Sequence, residues 1–557
     1  MKISRTYCVG LLFFTLSWLV YDHYRPWVNF HSEFLAFVGL LVLLASVLIQ
    51  QRGPFILPPI SLFLTATALL PWLQYAVGVN FFAGDALLSS LYLSGLLAAV
   101  LVGGAFARTD AGSLAYGLTG LMHGLWIAAM ASAAIGLFQW LNLQELLGLY
   151  VVQTDFGDPV LSNLGQPNQF ATLLLIGMVA YSYIFERRII GPFVFALGIF
   201  FMTIVLVMTH SRAGMLGALV TSSFFLIKRI HMNSRLSSKS IVVWVLLFAL
   251  ANVVSPYLDQ ALFLNAEREP LFTSNGRTQL WLQILAGIAK SPWLGYGWNQ
   301  TQTAHMVGAL AYPGTVTFSY AHNILLDIIA WNGVPLGLLF VGLGGYWFCT
   351  RLYRVSGLNA SYAMACLLPF TVHSLVEYPF AYAYFLITAG LMIGVVEASL
   401  GLQNGRRIKK SWVGSLMAVW AVVGSYMVYE YLLIEEDFRV VRFENLRIGA
   451  TQDSYQVPDV WMISHLATML KVSRQPSVPT MTALQLSDLH QVSSRFPNGS
   501  LNLRYALALG LNGDPDGATL IMSTIRNLFG EKYYDDAKLI WRENVEKYPQ
   551  LKTVTLP

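Results

Sequence analysis

The stretch Ser319–Leu339, SYAHNILLDIIAWNGVPLGLL, places His322 and Asn323 at the mouth of a long apolar run. A run of this kind is long enough to cross about 30 Å of hydrocarbon at about 1.5 Å per residue. It reads as a membrane helix over residues 323–350, which leaves two hydrogen-bonding side chains at its entrance. Similar runs recur on both sides of it. They cover 7–21, 34–49, 57–73, 87–107, 114–141, 169–185, 189–208, 213–227, 241–256, 360–376, 380–400 and 413–434, thirteen in all with the first. Hydrophobic residues make up 56% of the 557, charged residues 11%, and the mean hydropathy is +0.57. The chain therefore reads as an all-α polytopic membrane protein with about 13 transmembrane helices, within a range of 11 to 14.

Cys8, Cys349 and Cys366 lie inside apolar runs without paired spacing, which implies neither a disulfide framework nor a zinc site. The opening MKISRTYCVGLLFFTLSWLVY has the charged and apolar regions of a signal peptide but no small-residue cleavage site, and reads as a retained first helix. An odd number of spans puts the termini on opposite sides. The side of the N-terminus carries sixteen Lys and Arg, including Arg52, Arg108, Arg187, Arg188, Lys228, Arg229, Arg235 and Lys239; the other side, up to residue 434, carries five: Arg25, Arg212, Arg268, Arg277 and Lys290. The positive-inside rule then predicts a cytoplasmic N-terminus and puts the chain beyond residue 434 on the outer side.

Beyond residue 434 the texture becomes mixed charged and apolar with helical spacing, as in DDAKLIWRENVEKYP. This predicts two domains: a transmembrane domain at 1–434 with a long outer loop at 257–320, and a small outer helical domain at 435–557; the resemblance named below makes the first catalytic and the outer side periplasmic. The second domain resembles tetratricopeptide helix pairs, although no clean 34-residue period is present.

The unusual polar residues fall on the outer side. LSNLGQPNQFA supplies Asn163, Gln166, Asn168 and Gln169; MTHSRAG supplies His210, Ser211 and Arg212; SNGRTQLW supplies Arg277; Tyr320 precedes His322; and VHSLVEYPFAY supplies His373, Glu377 and Tyr378. Polar groups are costly in a bilayer unless they line a cavity, so separated polar segments at one face suggest a shared site. Arg212 opposes the charge rule that the rest of the chain obeys. A snorkelling anchor is the plain alternative; the functional one is a phosphate clamp, because guanidinium presents a planar fork of donors and stays charged. Arg277 reads the same way, and two such residues would neutralise a diphosphate. His322 is a candidate general base and Asn323 a candidate for orienting it or a sugar. His210, His373 and Glu377 remain alternative bases, and Tyr378 a stacking or donating residue.

Together GQPNQFA, HSRAG, NGRTQLW with SPWLGYGW, and AHNILLDIIAWNGVPLG resemble the bacterial PglL-type protein O-oligosaccharyltransferases, within the superfamily of O-antigen ligases and polymerases. His322, Asn323 and Gly333 fit the signature of His-Asn, nine residues, then Gly, and the resemblance spans roughly residues 150 to 400. It implies an inner-membrane glycosyltransferase moving a preassembled glycan from undecaprenyl diphosphate to Ser or Thr of a periplasmic protein, such as a type IV pilin. It further implies Arg212 and Arg277 as the arginine pair, His322 as catalytic histidine, Gln166 in the glutamine-containing loop, and Tyr378 at the turn, where Tyr382 and Tyr384 compete for the match. Gln166, Asn168, Asn323, Tyr378, Glu377, His373 and Tyr320 are expected to bind substrate. Membrane lipids are the other expected partners. Neither a cofactor, a metal nor a nucleic acid is expected: no Walker loop occurs, and no acidic or His/Asp metal cluster stands in the outer loops. Rivals are the same fold acting as O-antigen ligase or polymerase and, more remotely, a secondary transporter, which would place ionisable residues near the midplane of two related halves.

Overall fold

The computed structural model describes residues 4–51, 53–107, 117–232, 234–261, 276–400, 405–452 and 454–557. Lys2, Arg52, Arg108 and Arg268 of the charge count, and the Ser-Asn that opens SNGRTQLW, lie outside them. All thirteen apolar stretches fold as helices: α1 Arg5–Leu16, α2 Phe30–Gln50, α3 Ile60–Ala76, α4 Ala83–Phe106, α5 Gly117–Trp140, α6 Pro167–Glu186, α7 Pro192–Met208, α8 Arg212–Met232, α9 Ser238–Ala261, α12 Ile324–Arg354, α13 Leu358–Ser374, α14 Ala383–Ser399 and α15 Lys410–Leu446. Eight of these (α2, α4, α5, α6, α8, α9, α12 and α15) are long and apolar enough to cross a membrane; α1, α3, α7 and α14 are shorter apolar helices. The remaining helices are α10 Arg277–Lys290, α11 Thr301–Ala309, α16 Ser464–Arg474, α17 Ala483–Arg495, α18 Gly499–Leu511, α19 Pro515–Phe529 and α20 Glu531–Lys547. An antiparallel ribbon of β1 (Phe55–Leu57) and β2 (Arg406–Ile408), pairing Phe55 with Ile408, is the one sheet among the described residues.

The chain divides into two compact units. The first comprises Met1–Ala66, Tyr92–Thr273 and Tyr346–Ala421. Its core is a continuous apolar cluster in which α6 is buried along nearly its whole length, packed by α5, α7, α8 and α13. Without a hydrophobic drive between helices in lipid, close packing needs small residues. At the α1–α2 crossing a Cβ on Gly10 would stand 2.8 Å from the Leu43 nitrogen, and one on Gly39 would stand 2.7 Å from that of Phe14. Buried acids are matched: Arg351 Nε and Trp347 Nε1 donate to Glu397 at 2.5 and 2.8 Å, and the N–H groups of Arg235 and Leu236 donate to Glu186.

The second unit comprises Thr67–Leu91, Ser274–Gly345 and Val422–Pro557. Helices α18 to α20 pack around Leu503, Met522, Ile525 and Trp541, and α17 packs on α18 through Leu489 and Val492 against Leu501 and Tyr505. Arg495 and Asp85 form a buried bidentate pair, 2.9 and 3.0 Å. Glu430 accepts from the N–H groups of Trp461, Met462 and Ile463, ahead of α16. Helix α15 continues past the expected span end at residue 434 to Leu446.

Candidate active site

In the first unit, three of the polar segments meet. Gln166 is the N-cap of α6, Pro167 its first residue and Asn168 its second. Asn168 Oδ1 accepts from the Ser211 hydroxyl at 2.7 Å, while Asn168 Nδ2 donates to Glu377 Oε1 at 3.4 Å. One turn further along α6, Thr172 Oγ1 and His373 Nδ1 lie 2.9 Å apart, with His373 wholly buried. Ser211 Oγ also accepts from the Gly214 N–H at 2.9 Å, so Ser211 caps α8 and Arg212 is that helix's first residue. His210 stands 3.8 Å from Asp259, which accepts from Trp140 Nε1. The rings of Tyr378 and Tyr382 stack 6.0 Å apart, Tyr382 and Tyr384 follow at 5.7 Å, and Tyr384 donates to Gln169. Burial pushes the Tyr378 phenol up, with the Glu377 carboxylate adding to the effect, so it stays a hydrogen-bond donor at neutral pH.

The second unit holds the other candidates. Arg277 is the first residue of α10, preceded by Gly276 at φ +72°. An arginine in the first turn works against the helix dipole by about 0.3–1 kcal/mol. Arg212 and Arg277 both occupy that position, at a cost in helix stability.

His322 sits in the left-handed region at φ +53°, on a turn held from several directions. Asp327 is fully buried, and its Oδ1 accepts from the Ala321 N–H at 2.9 Å and from Thr301 Oγ1 at 2.7 Å. Thr301 in turn accepts from Trp331 Nε1 at 2.7 Å, and Trp281 Nε1 donates to the Ala321 carbonyl at 2.9 Å. Phe318 meets the imidazole edge-on at 5.4 Å. The Asn323 side-chain oxygen accepts from the N–H groups of Leu325 and Leu326, 3.0 and 3.4 Å, so it caps α12. Tyr320 lies against Trp331, ring centres 6.4 Å apart. Beneath them His305 and Gln283 are 2.8 Å apart; burial pushes the His305 imidazole down to about 4, so it is neutral near pH 7.

Gly333, the last residue of the motif, lies at φ +74° inside α12. Its neighbours Ala330 and Trp331 accept from the N–H groups of Tyr296 and Gly297, 2.9 and 3.0 Å, and the Val334 N–H donates to Pro292 at 2.7 Å. The segment SPWLGYGW is thus laced to a break in α12, and a Cβ on Gly333 would stand 2.8 Å from the Pro292 carbonyl oxygen. This gives the His-Asn to Gly spacing a physical meaning: it measures the length of helix between the turn and the break.

The structure therefore gathers Gln166, Asn168, His373, Glu377, Tyr378 and Arg212 in the first unit and Arg277, Tyr320, His322 and Asn323 in the second. Thr172, Asp259, Gln283, Thr301, His305 and Asp327 were missed by sequence reasoning; single polar residues inside apolar or loop segments carry no local signal of their long-range partners.

Comparison with known proteins falls on the same segments. Residues 162–183 match the protein glycosylation ligase family and contain Gln166 and Asn168. Residues 197–341 match the O-antigen ligase family and contain Arg212, Arg277 and His322. Residues 361–543 match the C-terminal part of virulence factor membrane-bound polymerases. Among relatives, the general O-oligosaccharyltransferase of Acinetobacter baylyi is 29% identical over 79% of this chain and 76% of its own. The ComP-specific O-oligosaccharyltransferase of the same organism is 26% identical over 93% of this chain and 94% of its own. Fold and matches together liken the chain to one class, the multi-pass membrane glycosyltransferases of O-antigen ligase kind. Within it the resemblance is to PglL-type protein O-oligosaccharyltransferases, and O-linked protein glycosylation is the activity these matches support.

Proposed function

We propose that this protein transfers a preassembled glycan en bloc from undecaprenyl diphosphate to a Ser or Thr hydroxyl of a periplasmic or pilin-like protein, from an inner membrane in which its N-terminus is cytoplasmic. The observation that carries the reading is the buried Asp327 clamp on the turn of His322, within the segment that also holds both arginines and matches the O-antigen ligases. The acceptor hydroxyl oxygen attacks the anomeric carbon as the bond from that carbon to the diphosphate oxygen breaks. The leaving diphosphate takes the electron pair, and the hydroxyl proton passes to His322. Arg212 and Arg277 stabilise the growing negative charge on the diphosphate. Gln166, Asn168 and Tyr378 orient donor or acceptor, with Glu377 the competing base. Attack opposite the diphosphate inverts the anomeric configuration, and no divalent cation is required: EDTA treatment of purified enzyme is expected to leave transfer intact, and loss restored by magnesium would refute that.

The deciding experiment is transfer to a pilin-like acceptor in cells carrying this protein, read by mass spectrometry of the acceptor. Wild type is expected to modify Ser or Thr, while His322→Ala and Arg277→Ala insert normally and transfer at least about 100-fold less, as for removal of one stabilising group. A second reading, ligation to lipid A core or glycan polymerisation, has support in the O-antigen ligase and polymerase matches. A bare acceptor with altered lipopolysaccharide would select it. The names of the two relatives distinguish a general from a ComP-specific enzyme; a panel of acceptors decides which behaviour this chain has.

A further inference from the structure

Away from the residues used above, the first unit contains a groove of about 580 Å³ between α6, α7, α8 and α9. Met178, Phe195, Ile199, Phe225, Trp244 and Leu247 make its walls apolar. Its polar end is formed by Arg235 and Lys239, both exposed. Arg235 is held in place: Nη1 donates to the Phe185 carbonyl at 2.6 Å, and the guanidinium lies 4.3 Å from the centre of the Phe185 ring. The acid nearby, Glu186, is occupied by the hydroxyls of Ser234 and Tyr362 and by the N–H groups of Arg235 and Leu236. No ion pair of Lys239 occurs among the described residues. Along the wall, the Thr221 hydroxyl has no hydrogen-bond partner among the described residues although Thr221 is only 6% exposed.

We propose that this groove is a binding site for an anionic phospholipid, one acyl chain lying along the apolar walls and the phosphate between Arg235 and Lys239. The charges choose the occupant. A zwitterionic lipid would place its own cation against two fixed ones, and a free phosphate would leave the apolar channel exposed. Basic pockets between transmembrane helices recognise anionic headgroups in this way, and each basic residue contributes about fivefold in affinity. Arg235 and Lys239 belong to the same basic end of the bundle as Arg187, Arg188, Lys228 and Arg229, whereas Arg212 opens α8 at its opposite terminus. The groove thus lies at the other end of α8 from Arg212, and the inference is independent of the glycan-transfer reading.

Trp244 in the wall reports occupancy. The full-length protein is placed in phosphatidylcholine nanodiscs containing a small mole fraction of brominated phosphatidylglycerol or brominated phosphatidylcholine, and the Trp244 signal is taken as the difference from Trp244→Phe. Phosphatidylglycerol is expected to half-quench this signal at a mole fraction at least about tenfold lower than phosphatidylcholine. Lys239→Gln, which disturbs none of the recorded hydrogen bonds, should weaken that preference about fivefold, and Arg235→Gln/Lys239→Gln should abolish it. Equal quenching by both lipids in the wild type would mean an ordinary lipid annulus and would overturn the proposal. Displacement of brominated phosphatidylglycerol by a polyprenyl phosphate at lower mole fraction than by unbrominated phosphatidylglycerol would also overturn it, assigning the groove to an isoprenoid chain.

Discussion

The turn that carries His322 depends on a residue five positions away that chemistry alone would not have selected. Asp327 spends one oxygen on the Ala321 N–H and the Thr301 hydroxyl, both buried. Removing that acceptor leaves two donors unsatisfied, at a cost of about 1–3 kcal/mol. Asp327→Ala is therefore expected to lower transfer on the order of tenfold or more, whereas Asp327→Asn, which keeps an acceptor of the same shape, should recover most of it. Acceptor mass spectrometry on membranes with matched protein levels checks both. His305 supports a pH prediction. Its folded-state imidazole is held down at about 4, below the ordinary value near 6.5, so the unfolded chain binds the extra proton between those values. Its neutral form stabilises the fold above about pH 6.5, and that contribution is lost as pH falls toward 4, at up to about 1.4 kcal/mol per pH unit. His305→Gln should flatten this acid limb in thermal unfolding of the purified protein. His322 stands out in the sequence at the entrance of an apolar run, Arg212 because it opposes the charge bias and Arg277 because it follows a glycine turn on the same face; Asp327 and His305 do not, because their meaning lies in partners distant in sequence. Asn323 was legible as a polar residue at a helix entrance, and its side-chain oxygen caps that helix.

At the scale of the element, the break in α12 explains why the motif ends in glycine. Gly333 combines φ +74° with the Trp293 and Pro292 carbonyls crowding the place of a Cβ, so Gly333→Ala is strained twice over. The expected cost is about 1–3 kcal/mol from backbone conformation alone. The measurable outcome is a lower melting temperature in detergent together with reduced transfer, while Gly342→Ala in the same helix, with open space around it, should lower neither. Apolar runs located the helices well because burial in lipid needs length and composition, which one sequence displays. Helix ends were less legible. A hydropathy reading stops where charge begins, but Glu435, Glu436, Asp437 and Arg439 keep helical spacing, and Arg439 pairs with Glu436 one turn back, so α15 runs on to Leu446. In the other direction, α1 ends at Leu16 although apolar residues continue, because the chain turns through Ser17 and Trp18.

For the whole molecule, each of the two compact units is assembled from stretches far apart in the chain. The second unit takes Thr67–Leu91 and Ser274–Gly345 together with Val422–Pro557. Arg495 of α17 closes on Asp85 of α4, both buried, and residues 461–463 supply the N–H groups that Glu430 accepts. Removing residues 440–557 would thus strip Asp85 and Glu430 of their partners, and loss of transfer by such a truncation would report a damaged unit rather than a missing acceptor site. A point substitution separates the two. Arg495→Met leaves an unpaired buried carboxylate and is expected to cost about 3–5 kcal/mol, whereas Asp85→Leu/Arg495→Met removes both charges and should regain most of that stability. Thermal unfolding of the full-length protein in detergent, followed alongside acceptor mass spectrometry, measures the pair. If the double variant is stable and still transfers, the ion pair serves the fold alone. If it is stable yet modifies the acceptor poorly, the Asp85–Arg495 pair contributes to glycosylation beyond holding the unit together.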